Sequence, residues 1–405
     1  MRSKSEIDIM KQIALLACFM LLVPCLRSPP AAEAWSVSGH EIIASRACRM
    51  FPGPWGEFLR HYEWLLNETV AYPDAFYKGR DPAESARHYV NLEIWNQSRP
   101  ETGTLPSAVE AYGQSMSHAA NVGDWNRMLL DAGRLAHYIA DICQPYHSTV
   151  NYNPVTRSGT GLHAVLDGAI RAHLSEIRLI SSMEGPQIVN FKEYALLLAR
   201  ESHGFLAEIN STLIDRDEPW SARLTEIIEN RTNTAIVATT NVWYTAISAS
   251  GAKAPALPQS RTLTIITRST LHTIDVSTDH LFEFAVTDSI GVKIACEVRT
   301  EVAGIVLETE FYQELTDPLG SYRVVLPRNK LEMLEGTVEF HVIAQRAGYT
   351  LARLVLPIRV VGRPRVELSY VIYVSIVAAL VMLLSFALLV REYRRQRRVP
   401  QAPDS

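Results

Sequence analysis

The hydrophobic period of the chain changes once, near residue 250. Before it, apolar residues recur every three to four positions, as at Met128, Leu129, Ala132 and Leu135, which is the period of an amphipathic helix. After it, stretches such as 337–342 (Thr-Val-Glu-Phe-His-Val) alternate in the manner of β-strands. Residues 250–261 are rich in alanine, proline and serine and predict a linker. The sequence therefore predicts an all-α domain at 35–249 and a small all-β domain at 262–364.

Several stretches within each domain have the pattern of one element. The predicted helices are 41–50, one beginning at Thr104, 124–142, 162–180, 191–213 and 219–247. The predicted strands are 262–267, 281–286, 292–298, 322–326, 337–342 and 354–361. Short strands at this spacing favour an immunoglobulin-like β-sandwich, with Asp317-Pro-Leu-Gly320 as one of its turns. The sandwich shows no chemical motif, so we expect a spacer or interaction module whose partner is unknown.

The two ends of the chain predict its cellular location. Residues 1–34 combine a basic start, an apolar core and Ala32-Glu-Ala34, as a secretory signal peptide does. Residues 370–390 are apolar and uncharged, long enough for one transmembrane helix, and the arginine-rich tail 391–405 follows. By the positive-inside rule the tail is cytoplasmic and the preceding domains are extracytoplasmic. We therefore expect a single-pass protein of the cell membrane.

Composition excludes some classes of protein and of site. A net charge of −4 argues against a general nucleic-acid coat. The five cysteines, at positions 18, 25, 48, 143 and 296, have no metal-binding spacing, so a thiolate zinc site is excluded. A disulfide between Cys48 and Cys143 is left open by sequence. Asn67, Asn96, Asn210 and Asn230 begin Asn-x-Ser/Thr sequons that allow glycosylation in a host that performs it.

One stretch concentrates metal-ligating residue types. His137 and Asp141 lie four apart, and so do His163 and Asp167, which puts each pair on one helix face. Pro145 ends the first helix, and His147 follows at the turn. A single pair of this kind is more often part of a satisfied core. Two pairs with His147 instead favour a zinc site with nitrogen and oxygen ligands.

Further candidates lie earlier in the chain, and their order is informative. Cleavage after Ala34 would make Trp35 the new N-terminus, and Tyr72-Pro-Asp74 and 86–93 (Ala-Arg-His-Tyr-Val-Asn-Leu-Glu) precede the central stretch. The full candidate set is Trp35, His40, Asp74, His88, His137, Asp141, His147, His163 and Asp167. In this order the set resembles the zinc-dependent phospholipase C and single-strand-specific nuclease superfamily. The resemblance covers 35–249 and leaves the sandwich and the span outside.

The resemblance implies a helical catalytic domain with a cluster of three zinc ions. Asp74, His88, His137 and Asp141 would hold one zinc, and Asp141 would bridge to a second held by His40 and the backbone of Trp35. The third would be held by His147, His163 and Asp167. Metals sharing a carboxylate lower the pKa of water, which suits attack on a phosphodiester. Asp74 could also orient that water or take its proton. The Trp35 amine exists only after cleavage, so we expect signal removal to complete the site.

The sequence divides between the two branches of the superfamily. Asp167 as the last ligand and the gap of five from Trp35 to His40 are nuclease-like. Tyr72-Pro-Asp74 and Leu166 depart from the nuclease pattern, and 88–93 with Asn151-Tyr-Asn153 look more like phospholipase C-like proteins. We favour a phospholipase C-like hydrolase acting on a phospholipid headgroup. The alternatives are a nuclease or 3′-nucleotidase acting on single-stranded nucleic acid or nucleotides, and a surface binding or adhesion protein without activity. Lys78 and Arg80 are either phosphate contacts or ordinary solvated side chains.

Overall fold

The computed structural model describes residues 36–155, 159, 161–213, 221–258, 261–269, 271–331, 333–362 and 368–396. The predicted signal peptide, Trp35 and the end of the basic tail lie outside these residues. The chain divides near residue 260 into a helical unit and a β-rich unit. A helical N-terminal part followed by a β-rich part is therefore confirmed, while the finer domain bounds stay predictions.

The helical unit contains nine α-helices within its described residues. They are α1 Val37–Met50, α2 Gly53–His61, α3 Glu63–Thr69, α4 Leu105–Val122, α5 Trp125–Cys143, α6 Leu162–Ala172, α7 Phe191–His203, α8 Leu206–Leu213 and α9 Ala222–Ser250. A π-helical turn at Pro73–Tyr77 and 3₁₀ turns at Ser85–His88, Pro100–Thr102 and Pro145–Ser148 connect them. The helices α1, α3, α4 and α9 all contact α5, so α5 is central to this unit.

Local chemistry explains the two ends of α5. Gly123 adopts a left-handed conformation with φ of 75° and ends α4, a position that glycine takes without steric cost. The Asp124 side chain then accepts a hydrogen bond from the Arg127 backbone at 3.0 Å and caps α5. At the other end the helix stops at Cys143, before Gln144-Pro145, as the proline predicts.

Two predicted helices differ from the observed ones in where they end. The helix predicted at 162–180 ends at Ala172, because the backbone N–H groups of Arg178 and Ile180 donate to Glu229 and Asn233 on α9, both at 2.8 Å. The helix predicted at 191–213 is interrupted after His203, and α8 starts at Leu206. The helices α2 and α3 had no individual prediction.

The β-rich unit contains two sheets within its described residues. Its strands are β1 Thr264–Thr267, β2 Thr273–Asp275, β3 His280–Thr287, β4 Glu297–Val302, β5 Ile305–Leu307, β6 Thr309–Glu314, β7 Asp317–Leu326, β8 Thr337–Gln345 and β9 Ala352–Val361. One sheet has the order β1-β3-β7-β6, and the other has the order β2-β9-β8-β4-β5. The pairs are antiparallel except β2 with β9.

The interior of the β-rich unit is aromatic and aliphatic. Phe282 on β3 and Phe340 on β8 are fully buried, and their rings meet edge to face at 5.1 Å, which joins the two sheets. The turn predicted at Asp317-Pro-Leu-Gly320 instead belongs to β7, since Glu314 pairs with Asp317 and the chain turns between them. An immunoglobulin-like topology stays a prediction.

One long apolar helix, α10, spans Leu368–Gln396. Within its segment Tyr373–Arg391, an 18-residue window has a mean hydropathy of 2.6 and contains no buried residue. By length and composition this helix could cross a membrane. The described residues contain no other helix of that kind. Its orientation and the cytoplasmic tail stay predictions.

Candidate metal centre

The centre is built on the C-terminal half of α5. Every residue from Met128 to Cys143 is buried, including His137 and Asp141, whose side chains have no exposed surface. Their four-residue spacing puts them on one face of the helix. Two ionisable side chains therefore lie in the interior of the helical unit, where an unpaired charge is costly.

A first group surrounds one oxygen of Asp141. The Nε2 atom of His40, on α1, lies 3.5 Å from Oδ1 of Asp141. The ring of His40 stacks on that of His137 with centroids 4.0 Å apart and planes inclined by 8°. His40, His137 and Asp141 can hold one metal ion, because one donor atom of each lies within 4.8 Å of the others.

A second group shares His137 and comes from two short turns. Asp74 lies in the π-helical turn and His88 ends a 3₁₀ turn. The Nδ1 atom of His88 lies 2.9 Å from Oδ2 of Asp141 and 3.7 Å from Oδ1 of Asp74. Asp74, His88 and His137 can likewise hold one metal ion. The same oxygen of Asp141 lies 3.4 Å from Nε2 of His137, so Asp141 faces both groups.

A third group lies next to the first two, at the turn after α5. The Nε2 atoms of His147 and His163 are 2.9 Å apart, and Nε2 of His163 lies 3.6 Å from Oδ1 of Asp167. His147 approaches Asp141 to 4.0 Å. The backbone N–H of Ser36 donates to the carbonyl of Asp167 at 3.0 Å, which brings the described start of the chain to this group. Trp35 itself lies outside the described residues.

Backbone carbonyls fix the tautomers of two histidines. The Nδ1 atom of His137 lies 2.8 Å from the carbonyl oxygen of Val70, and that of His147 contacts the carbonyl of His88. Because a carbonyl oxygen only accepts, Nδ1 carries the proton in both rings. Their Nε2 atoms are then free to bind a metal, the arrangement that orients histidine ligands in metalloproteins.

Several polar atoms of the centre lack hydrogen-bond partners among the described residues, and their spacing is that of ligands around one metal ion. Both ring nitrogens of His40, Oδ1 of Asp141 and Nδ1 of His163 are buried without a hydrogen-bond partner among the described residues. Buried polar atoms of this kind are rare unless a ligand satisfies them. The facing donor atoms are 2.9 to 3.8 Å apart. Ligands about 2.0–2.1 Å from a tetrahedral zinc would be about 3.3 Å apart.

Burial and charge shift the pKa values in the direction that metal binding requires. Burial, with the neighbouring His137, lowers the pKa of His40 to about 3, and burial with the neighbouring His147 lowers that of His163 to about 3. Burial alone would raise the pKa of Asp141, but His137 and His147 hold it well below its usual range. Two neutral imidazoles and an ionised carboxylate are the protonation states in which these groups are ligands.

His88 is the exception among the histidines of the centre. Burial alone would lower its pKa, but the hydrogen bond to Asp141 and the nearby Glu84 carboxylate outweigh that and raise the pKa to about 9. In the metal-free protein at neutral pH, both ring nitrogens of His88 are therefore protonated, and a metal must displace one of these protons.

Two side chains next to the ligands, Glu84 and Gln144, are not predicted from the sequence. Glu84 is fully buried and lies 3.4 Å from Nε2 of His88, and Nε2 of Gln144 donates to Oδ1 of Asp167 at 2.8 Å. Glu84 lies four residues before His88, a spacing that could have indicated the contact, whereas nothing in the sequence marked Gln144 beyond the helix end.

The two basic side chains after Asp74 have different surroundings. Lys78 Nζ donates to Oδ1 of Asp74 at 3.1 Å, so its charge lies at the edge of the centre. The guanidinium of Arg80 donates to the carbonyl of Phe76 and lies 4.5 Å above the Phe76 ring, which gives it a structural role. Cys48 and Cys143 are both free and buried.

Comparison with known proteins gives structural likeness only. No protein-family model matches the chain, and no curated protein matches it. The alpha toxin from Clostridium absonum is 12% identical, with 82% of this chain and 93% of that chain covered and a TM-score of 0.40. Alpha-toxin from an avian strain of Clostridium perfringens is also 12% identical, with 82% of this chain and 93% of that chain covered and a TM-score of 0.39. Likeness at these scores carries no functional inference, so we infer function from the residues of the centre.

Proposed function

We propose that this protein is a membrane-anchored zinc-dependent hydrolase of phosphoric esters, similar to phospholipase C. The observation that carries the proposal is the convergence of five histidines and three carboxylates in one buried centre, with several of their donor atoms lacking any other partner among the described residues. Nitrogen and oxygen donors without thiolates are typical of catalytic rather than structural zinc sites.

The allocation of ligands follows the resemblance to the zinc-dependent phospholipase C and single-strand-specific nuclease superfamily. Asp74, His88, His137 and Asp141 would hold one zinc, and His40 with Asp141 and Trp35 would hold a second. A third would be held by His147, His163 and Asp167. When bound, zinc supplies Lewis-acid chemistry, which polarises a phosphoryl oxygen and makes water acidic enough to lose a proton near neutral pH.

The protein's own residues supply positioning and proton transfer. Burial would raise the pKa of Asp74, but His137 and His88 lower it, so the carboxylate is ionised at neutral pH and can accept a proton from attacking water. Lys78 keeps Oδ1 of Asp74 oriented, and its half-buried ammonium group can also attract the negative phosphate.

Apolar side chains near the third group support a lipid substrate. The loop after His147 exposes Val150, Tyr152 and Val155 by 47%, 59% and 57%. The Tyr152 ring lies 6.2 Å from that of His163, so this loop is at the centre. This apolar surface suits the glyceride part of a phospholipid better than the charged backbone of a nucleic acid.

The anchoring completes the proposal. With α10 as a span and the arginine-rich tail in the cytoplasm, the centre would face outward, where signal cleavage would free the amine of Trp35. That amine is absent from a chain in which Ala34 still precedes Trp35. We expect such a chain to hold less zinc and to lose activity.

The test uses the full mature chain purified in detergent. Zinc is counted by elemental analysis, and turnover is measured on phosphatidylcholine, single-stranded DNA and 3′-nucleotides. We expect about three zincs per chain and release of phosphocholine. Hydrolysis of DNA or nucleotides alone would assign the nuclease activity instead. Absence of both zinc and turnover would leave a binding or adhesion protein.

A further inference from the structure

Glu84 is a buried carboxylate that the proposed reaction does not yet use. Its side chain has no exposed surface, and both its oxygens are engaged. The Tyr138 hydroxyl donates to Oε1, and Arg87 donates to Oε2 at 2.7 Å. The same Oε1 lies 3.4 Å from Nε2 of His88. A carboxylate this deep is retained only when it is well paired.

The two nitrogens of His88 face opposite partners. Nδ1 lies 2.9 Å from Asp141 and 3.2 Å from Nε2 of His137, inside the centre. Nε2 faces Glu84, on the side away from these ligands. The negative charge of Glu84, 3.4 Å away, favours the proton on Nε2, a buried atom that has no hydrogen bond among the described residues. Nδ1 is then the nitrogen that can bind a metal.

His88 differs from His137 and His147 in its outer partner and in the nitrogen that it offers to a metal. Those two rings are oriented by backbone carbonyls on Nδ1 and offer Nε2. His88 has a carboxylate as its outer partner and offers Nδ1. A charged acceptor raises the basicity of a histidine ligand more than a neutral carbonyl does, since it stabilises positive charge on the ring.

We propose that Glu84 is a positioning residue that holds His88 in the tautomer with Nδ1 free, and thereby sets the metal affinity of the group formed by Asp74, His88 and His137. Tyr138 and Arg87 in turn hold Glu84, and Arg87 also donates to Asp81 at 2.6 Å. This inference rests on the proposed metal centre and adds an outer residue to it.

The test compares zinc affinity in the full mature chain for wild type, Glu84→Gln and Tyr138→Phe. Glu84→Gln keeps the size of the side chain but removes its charge. We expect zinc affinity at one site to fall about 10–100-fold, the usual effect of losing an outer partner of a metal-bound histidine. Tyr138→Phe frees Glu84 from one hydrogen bond, so we expect a smaller loss. Affinity is measured by competition with a chromogenic chelator.

A second readout separates positioning from folding. Visible absorption of the cobalt-loaded protein reports the ligand field, which we expect to change in Glu84→Gln. The matched control is Asp131→Asn, which removes another fully buried carboxylate, paired on the same helix as His137 with Arg127 and Arg134. We expect this control to lower the melting temperature and to leave zinc affinity and the cobalt spectrum unchanged.

The possible results are distinct. A wild-type chain that binds no zinc would overturn both the proposed function and this inference. A wild type that binds zinc, with unchanged affinity and cobalt spectrum in Glu84→Gln, would overturn the inference alone. If Glu84→Gln does not fold, Tyr138→Phe decides: an unchanged affinity and spectrum there would overturn the inference, and a loss would support it.

Discussion

The helical unit and the β-rich unit fill their interiors with different chemistry. Among the described residues, five histidines of the helical unit are buried, whereas His272, His280 and His341 of the β-rich unit all keep exposed surface. The core of the β-rich unit is instead made of side chains such as Phe282 and Phe340. The β-rich unit is therefore stabilised by apolar burial, while the helical unit carries buried charge that apolar burial does not satisfy.

The difference indicates where function resides. Asp141 has no exposed surface, yet its Oδ1 lacks a hydrogen bond among the described residues. Such an arrangement costs stability unless a ligand with positive charge binds there. We therefore expect metal to stabilise the helical unit and to leave the β-rich unit unchanged.

Metal removal should give the largest effect. With a chelator we expect activity to be lost and the helical unit to be destabilised by about 4 kcal/mol, if zinc was present at about a thousand times its dissociation constant. For about 215 residues this lowers the melting temperature by roughly 8–16 °C. All seven tryptophans lie at or before Trp243, so tryptophan fluorescence reports on the helical part of the chain alone.

The control for metal removal lies in the β-rich unit. Cys296 is half-buried and is its one cysteine, so its alkylation rate follows the opening of that unit. We expect the chelator to leave this rate unchanged. Equal destabilisation of both units would contradict the contrast.

Asp141→Asn should come next in size. The substitution removes the charge that faces His40, His88 and His137. Loss of one partner from a buried charge cluster costs roughly 3–5 kcal/mol, about 10²–10⁴-fold in metal affinity. Zinc content and turnover measure the effect, with Asp131→Asn as the control that keeps both. An Asp141→Asn chain with full zinc content would show that Asp141 is not a ligand.

Zinc affinity should depend on pH through His88. The raised pKa of about 9 favours the protonated, metal-free form below pH 9. Metal must displace that proton, so we expect the apparent affinity to fall about tenfold for each pH unit below 9. His40 and His163, with pKa values lowered to about 3, stay neutral in this range and add no proton.

Calorimetry measures this proton directly. Titrations with zinc at pH 7 in buffers of different ionisation enthalpy should show release of about one proton from His88, in addition to most of one from the Trp35 amine, whose ordinary pKa is ~7.7–8.0. Affinity that is constant between pH 6 and 8, with no proton released, would contradict the assignment of His88.

Removal of the cap of α5 should have the smallest effect. Asp124→Ala removes the hydrogen bond to the Arg127 backbone and should cost about 1 kcal/mol, or about 2–4 °C in the fluorescence-detected melting temperature. The cap is at the far end of the helix from Asp141, so zinc content should not change. Asn190→Ala, which removes the cap of α7, is the matched control. Loss of zinc in Asp124→Ala alone would show that the cap positions the ligands.

Part of the centre could be predicted because it is local in sequence. Periodicity predicts α5, and four-residue spacing then places His137 next to Asp141, and His163 next to Asp167. The same reasoning predicted too long a helix at 162–180. It could not include the side chains of Glu229 and Asn233, distant in sequence, which bind the backbone after Ala172.

The sequence by itself determined the change from helices to strands, the apolar helix near the C-terminus and the residue types able to bind metal. These follow from local periodicity and chemical identity, which need no knowledge of the fold. Only the tertiary structure decided that His40, Asp74 and His88 meet α5, that carbonyls select the binding nitrogens of His137 and His147, and that Glu84 faces His88. These contacts join residues from separate elements, and they depend on packing and hydrogen-bond direction, which periodicity does not specify.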